Sequence, residues 1–248
     1  PIGMETEEFA NLSRASVGKP GVRDLLRSLH GRRLIIGVDR LDYSKGIPNR
    51  IDAYERFLKR HPEFRGEVTF LQVTPKSRSD VPEYRAMQEA VAAQAGRVNG
   101  DNGAVDWTPI RYINQSLKRP VLAGLYRVAQ VGFVTPLKDG MNLVAKEYVA
   151  AQDPADPGVL VLSRFAGAAR EMVEALLINP YDIDATANAL ARALSMPLEE
   201  RTERWSAMMD RFRAYDVHHW CRDYLGTLAK VGRPSGLPVP QAAPEAAN

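Results

Sequence analysis

The sequence predicts an α/β fold, a Rossmann-like doubly wound parallel sheet, and two observations predict it. Short aliphatic runs bounded by charged or turn residues recur from Arg33 to Asn179. Stretches with apolar residues at helical spacing lie between them. Strands that alternate with helices pair in parallel, because parallel neighbours need a crossover connection, and the helices then cover both faces of the sheet.

Arg33 to Val38 reads as the first strand, and a loop leads from it to a helix from Pro48 to Arg60. Pro48 suits a first helical turn, and Ile51, Tyr54, Phe57 and Leu58 share one face. Val68 to Val73 is the second strand and Tyr84 to Arg97 its helix, after which Asn99-Gly100-Asp101-Asn102-Gly103 reads as a turn cluster. Ile110 to Ile113 precedes a helix from Arg119 to Ala129, and Val131 to Thr135 precedes one from Asn142 to Gln152. Gly158 to Ser163 and Leu176 to Asn179 complete the strands. Beyond Asp184 only helices are expected, Ala185 to Leu194, Leu198 to Ala214 and Val217 to Val231, packed on the sheet edge. Trp205, Met208, Met209 and Phe212 have the spacing of a core face. Residues 1–231 are thus expected to form one domain. The remaining stretch, 232–248, is so rich in proline and small residues that it reads as a disordered tail.

Lys and Arg number 33 against 30 Asp and Glu, a net charge of +3 without a run of like charges. That balance fits a local anion site and argues against a nucleic-acid partner. The single Cys221 rules out an intramolecular disulfide and fits a reducing compartment, so a cytoplasmic location is expected. No apolar stretch is long enough to span a membrane, and the first residues lack the order of a signal peptide. The opening Pro1-Ile2-Gly3, without an initiator methionine, reads as the middle of a longer chain.

In a doubly wound sheet ligands bind beyond the carboxyl ends of the strands, so chemistry is expected in the loops that follow them. The first loop, Asp39 to Gly46, places Arg40 and Lys45 before a helix, where two cations and free amides suit a diphosphate. The competing reading pairs Arg40 with Asp39 or Asp42 on the surface. In the loop Thr135 to Glu147, Gly140 lets a ligand approach the backbone, and the amides of Met141, Asn142, Leu143 and Val144 start a helix. Asp139 suits sugar hydroxyls and Glu147, farther along the helix, suits a ribose. Alternatively Asp139 caps the helix and Glu147 is a surface residue. Arg78, after the second strand, suits a second phosphate or is simply solvated.

No Gly-x-x-x-x-Gly-Lys-Ser/Thr, Gly-x-Gly-x-x-Gly or Gly-x-Ser-x-Gly is present, which weakens kinase, dehydrogenase and esterase readings. His218, His219 and Cys221 lack a fourth ligand, and adjacent histidines leave a helix on different sides, so no metal site is assigned.

Taken together, Arg40-Leu41-Asp42-Tyr43-Ser44-Lys45-Gly46 and the run Asp139 to Ala150 resemble the trehalose-6-phosphate synthase family of retaining glycosyltransferases. Gly96 to Gly100, Trp107-Thr108-Pro109 and Phe165 to Ala169 extend the resemblance from about Pro1 to Val231. It implies the carboxyl-terminal, donor-binding half of a two-domain GT-B enzyme whose amino-terminal domain does not precede Pro1. It further implies transfer of glucose from UDP-glucose to glucose 6-phosphate with retention, giving trehalose 6-phosphate and UDP without a cofactor or metal. By resemblance Arg40 and Lys45 hold the diphosphate, Leu143 and Val144 lie near it, and Glu147 holds the ribose. Asp139 with the amides of Gly140 to Asn142 holds the glucose. Leu117 meets the uracil and Arg78 the acceptor phosphate.

The chain alone is expected to hold donor but turn it over poorly, and its uncovered apolar surface favours a homo-oligomer. Two rival readings remain: a sister transferase with another base or acceptor, and a non-catalytic sugar-nucleotide-binding module. Retention of Arg40, Lys45, Asp139 and Glu147 argues against the second.

Overall fold

The computed structural model describes residues 2–75 and 82–230. Arg78 and the stretch 231–248 lie outside the described residues. Six described strands form one parallel sheet: β1 Arg33–Val38, β2 Val68–Val73, β3 Ile110–Ile113, β4 Val131–Val134, β5 Val159–Ser163 and β6 Leu176–Ile178. Their order is β3-β2-β1-β4-β5-β6, every neighbouring pair parallel. The chain runs outward in one direction through β2 and β3, then returns to the other side of β1 for β4, so the strand order reverses between β1 and β4.

Strands β2, β4 and β5 are buried throughout, as expected where helices cover both faces. Alternate residues divide between two cores. Ile35, Phe70, Phe133 and Val161 face one layer with α3 (Ile47–Arg60), α4 (Pro82–Asn102) and α7 (Ile183–Ser195). Leu34, Ile36, Leu71 and Leu162 face the other, with α1 (Thr6–Ser16), α2 (Pro20–Leu29), α5 (Arg119–Val128), α6 (Leu143–Ala151) and α8 (Leu198–Ala214). Each such fully buried side chain stabilises the fold by about 1.5–3 kcal/mol before entropy is charged against it.

Three expectations are corrected. Two helices, α1 and α2, precede the first strand where none was assigned, and α1 packs on α5 and α6. The Asn99 to Asn102 cluster is not a turn but the last turn of α4. Asn99 bonds both the amide and the carbonyl of Ile110, and Asn102 donates to the Val98 carbonyl, so side chains hold the helix open to extension. The late helices do not sit on the sheet edge: α7 packs on β4, β5 and β6, while the Trp205 indole of α8 donates to the Val149 carbonyl of α6 on the opposite face. The last helix, α9 (Val217–Lys230), has no buried residue. Among the described residues no helix is long and apolar enough to cross a membrane.

Candidate functional site

The strand order reverses between β1 and β4, the place where doubly wound sheets bind ligands beyond the carboxyl ends of their strands, and the loops after those two strands carry most of the predicted residues. Main-chain bonds lock the loops together. The amides of Leu137 and Lys138 both donate to the Ser44 carbonyl, at 2.7 and 3.2 Å. The loop after β5 joins them: Asp139 donates to Phe165 O, while Gly167 and Ala168 donate to the carbonyls of Asp139 and Met141. Gly167 is required at this junction, since a Cβ there would lie 2.1 Å from the Gly140 oxygen.

Arg40 is exposed and makes no hydrogen bond or ion pair with a described residue, so it is not bonded to Asp39 or Asp42, although its charge is among the influences that lower the Asp42 carboxyl. Asp39 instead lies 2.7 Å from the buried Arg50, and Asp42 accepts from the amide and hydroxyl of Ser44. Burial pushes the Asp39 carboxyl above its ordinary range, against the pull of Arg50. The Ser44 amide bond, above all, holds Asp42 below it.

Lys45 and Asp139, assigned to different parts of a ligand, meet directly: Lys45 Nζ donates to Asp139 Oδ2 at 2.6 Å. The same oxygen accepts from Asn142 Nδ2 at 3.0 Å, and the other carboxylate oxygen accepts from the Met141 amide. Asp139 is therefore not the helix cap. Asn142 is, with its side chain accepting from the Ala145 amide and its backbone held at φ 78°, a left-handed conformation that asparagine tolerates better than most residues. The cap leaves the amides of Leu143 and Val144 without a carbonyl one turn earlier in α6. They form a donor pair at the positive end of the helix dipole, one residue past the Asn142 that bonds the Lys45 partner Asp139. A Cβ added at Gly140 would meet nothing, so the rim is open there, and Met141 and Leu143 expose apolar side chains on it.

Glu147 lies on the second turn of α6, half-buried, and hydrogen-bonds to no described residue. Desolvation raises its carboxyl above the ordinary value, while Arg119 lowers it. Arg119 sits two residues past Leu117, itself partly buried against the core in the loop after β3. Asp139, Gly140, Phe165 and Gly167 line a cavity of about 660 Å³ with Arg164 and Arg170. Among the described residues no three His, Cys, Asp or Glu side chains gather to hold a metal ion.

Sequence reasoning missed Arg50, which lies under both loops, and the buried Lys146, 2.5 Å from Glu171 and bonded to the Ile2 carbonyl. Arg50 had a signal: it falls on the apolar face of its helix, between Ile47 and Tyr54.

Comparison with known proteins follows the same lines. A trehalose-6-phosphate synthase of Sinorhizobium fredii is 66% identical over 227 residues, 92% of this chain and 49% of the relative. One from an Enterobacter species is 50% identical over 93% of this chain and 48% of its own length. Among solved structures, an alpha,alpha-trehalose-phosphate synthase (UDP-forming) from Burkholderia xenovorans in complex with glucose-6-phosphate superposes with a TM-score of 0.91 at 51% identity. It is covered over 50% of its length, and this chain over 92%. A structure described as trehalose-6-phosphate from E. coli bound with UDP-2-fluoro glucose gives a TM-score of 0.90 at 47% identity, covering 94% of this chain and 51% of that one. The chain spans about half the length of the relatives it matches. The sequence model of glycosyltransferase family 20 matches residues 1–230, and the chain belongs to that family.

Proposed function

We propose that this chain is the nucleotide-sugar-binding half of a retaining glucosyltransferase that moves glucose from UDP-glucose to glucose 6-phosphate, giving trehalose 6-phosphate and UDP. The observation that carries the reading is the contact across the strand-order reversal, where Lys45 of the loop after β1 meets Asp139 of the loop after β4 at the start of α6. Arg40, Lys45 and the amides of Leu143 and Val144 take the diphosphate. Asp139, steadied by Lys45 and Asn142, turns its remaining lone pairs to glucose hydroxyls, with the amides of Gly140 to Asn142 beside it. Glu147 takes the ribose and Leu117 the uracil. Arg78, outside the described residues, is assigned to the acceptor phosphate, and the remaining acceptor contacts are assigned to the amino-terminal domain of the two-domain fold.

In the transfer, the bond from glucose C1 to the phosphate oxygen breaks and its electron pair leaves with UDP. The acceptor hydroxyl closes on C1 from the same face, and its proton passes to the departing phosphate oxygen. Retention by this route needs no carboxylate nucleophile. It fits a crevice in which Asp139 is held by Lys45 and Asn142, and Asp39 is buried against Arg50. Charge grows on the diphosphate as the bond breaks, so Arg40 and Lys45 bind the transition state more strongly than the ground state. The reading assigns these cations, rather than a bound metal, to that charge, and takes the protein to be cytoplasmic.

Calorimetric titration of the chain with UDP-glucose, ADP-glucose and GDP-glucose tests this. Saturable binding of UDP-glucose, weakened about tenfold or more by Lys45→Ala as expected for a lost charge-assisted bond, supports it. A folded chain that takes up no nucleotide sugar, or one indifferent to Lys45→Ala, rejects it.

A further inference from the structure

We infer that Arg50 is a positioning residue of the donor site, holding both lips of the crevice in register from beneath. The inference rests on the functional reading above, and its own ground is geometric. The Arg50 side chain is fully buried. From α3 its guanidinium reaches the carboxyl ends of three strands. Nη1 lies 2.7 Å from Asp39 Oδ2, next to Arg40, and 3.1 Å from Gln72 Oε1 on β2. Nε donates to the Thr135 hydroxyl at 2.9 Å, at the root of the loop that carries Asp139. Nη2 donates to the carbonyl of Lys45 itself at 3.4 Å.

The surroundings accommodate this side chain. A Cβ at Gly37 would lie 2.8 Å from Nη1 and 2.7 Å from Gln72 Oε1, so only glycine leaves room in β1. The Phe133 ring closes the cage from β4, its centroid 5.9 Å from the guanidinium carbon.

A buried ion pair is a poor way to gain stability, since apolar residues of like volume commonly do as well or better. What an apolar side chain lacks is direction. A planar fork with five donors fixes the separation and twist of every segment it bonds. Here those segments are the two that present Arg40, Lys45 and Asp139, and their spacing decides whether one ligand can touch all three. A displacement of about an ångström at such a site is enough to cost much of its activity.

The test uses the chain with Thr135→Val, which removes only the hydroxyl acceptor, and with Arg50→Lys, which keeps the charge and loses the fork. Leu58→Ala, a buried change on the same helix, controls for lost stability. Two quantities are read: hydrogen exchange at the Leu137 and Lys138 amides, which bond Ser44, and UDP-glucose affinity. Both Thr135→Val and Arg50→Lys are expected to speed exchange and weaken binding by about tenfold relative to the control, the factor one charge-assisted hydrogen bond commands. If Arg50→Lys does not fold, Thr135→Val decides alone. Unchanged exchange, or loosened amides with unchanged donor affinity, overturns the inference. Should the unaltered chain bind no UDP-glucose, the functional reading falls, and exchange alone decides whether Arg50 sets the loops.

Discussion

Glu147 is asked to accept hydrogen bonds from ribose hydroxyls, which calls for its ionised form, yet burial on α6 resists that charge. Its folded value lies above the unfolded one, so the stability it contributes is complete below the unfolded value. That contribution is lost as pH rises through the folded one. Glu147→Gln is therefore expected to raise the melting temperature near neutral pH, by an amount that vanishes in acid, while weakening UDP-glucose binding. Thermal scans across pH with parallel titrations check both halves. Single residues were legible in the sequence where a side chain acts at its own place in the chain. The Arg40 and Lys45 loop and the Gly140 run stand where the strand pattern predicts a ligand. The Lys45–Asp139 pair, 94 residues apart, was not legible, because nothing local in either loop records that they meet.

Two elements carry predictions of their own. Helices α3 and α4 are joined by Glu55, which Arg97, and after it Lys59, pull down to about 2 against the opposing effect of burial. A depressed carboxylate stabilises the fold above its ordinary value and loses that contribution as pH falls toward 2. Glu55→Gln should thus flatten the acid side of a denaturant-midpoint profile and leave UDP-glucose affinity unchanged. The junction of the loops after β4 and β5 is less forgiving. Gly167→Ala, which drives a Cβ onto the Gly140 carbonyl, is expected to cost about 1–3 kcal/mol and to lower donor affinity, as read by denaturant melts and calorimetry. The strands β2, β4 and β5 were legible because each is a largely apolar run buried along its whole length, a pattern set by burial and recorded in composition. The end of α4 was not, since asparagine and glycine ordinarily close a helix and here distant partners on β3 override that preference. Helix α2 had left a trace in Pro20 at its first turn and in Val22 and Leu29, one buried face of a short amphipathic segment.

At the scale of the whole molecule the sheet is covered on both faces, but α9 is left outside, with Tyr224, Leu225 and Leu228 more than half exposed. Its start is pressed against the beginning of the chain: a Cβ on Gly3 would lie 2.2 Å from the Asp216 carbonyl carbon. Exposed apolar rows of this kind promote association. Sedimentation is expected to show self-association that rises with concentration and that Leu225→Lys with Leu228→Lys reduces, while UDP-glucose affinity stays as it was. The stapled rim has a consequence for time as well as for strength. Ser44, Leu137, Asp139, Phe165 and Gly167 are bonded to one another through the main chain before any ligand arrives. A nucleotide sugar therefore meets a surface that has little left to rearrange. Stopped-flow mixing should yield one exponential phase whose rate climbs linearly with ligand concentration, the signature of an encounter that is not followed by a slow closing step.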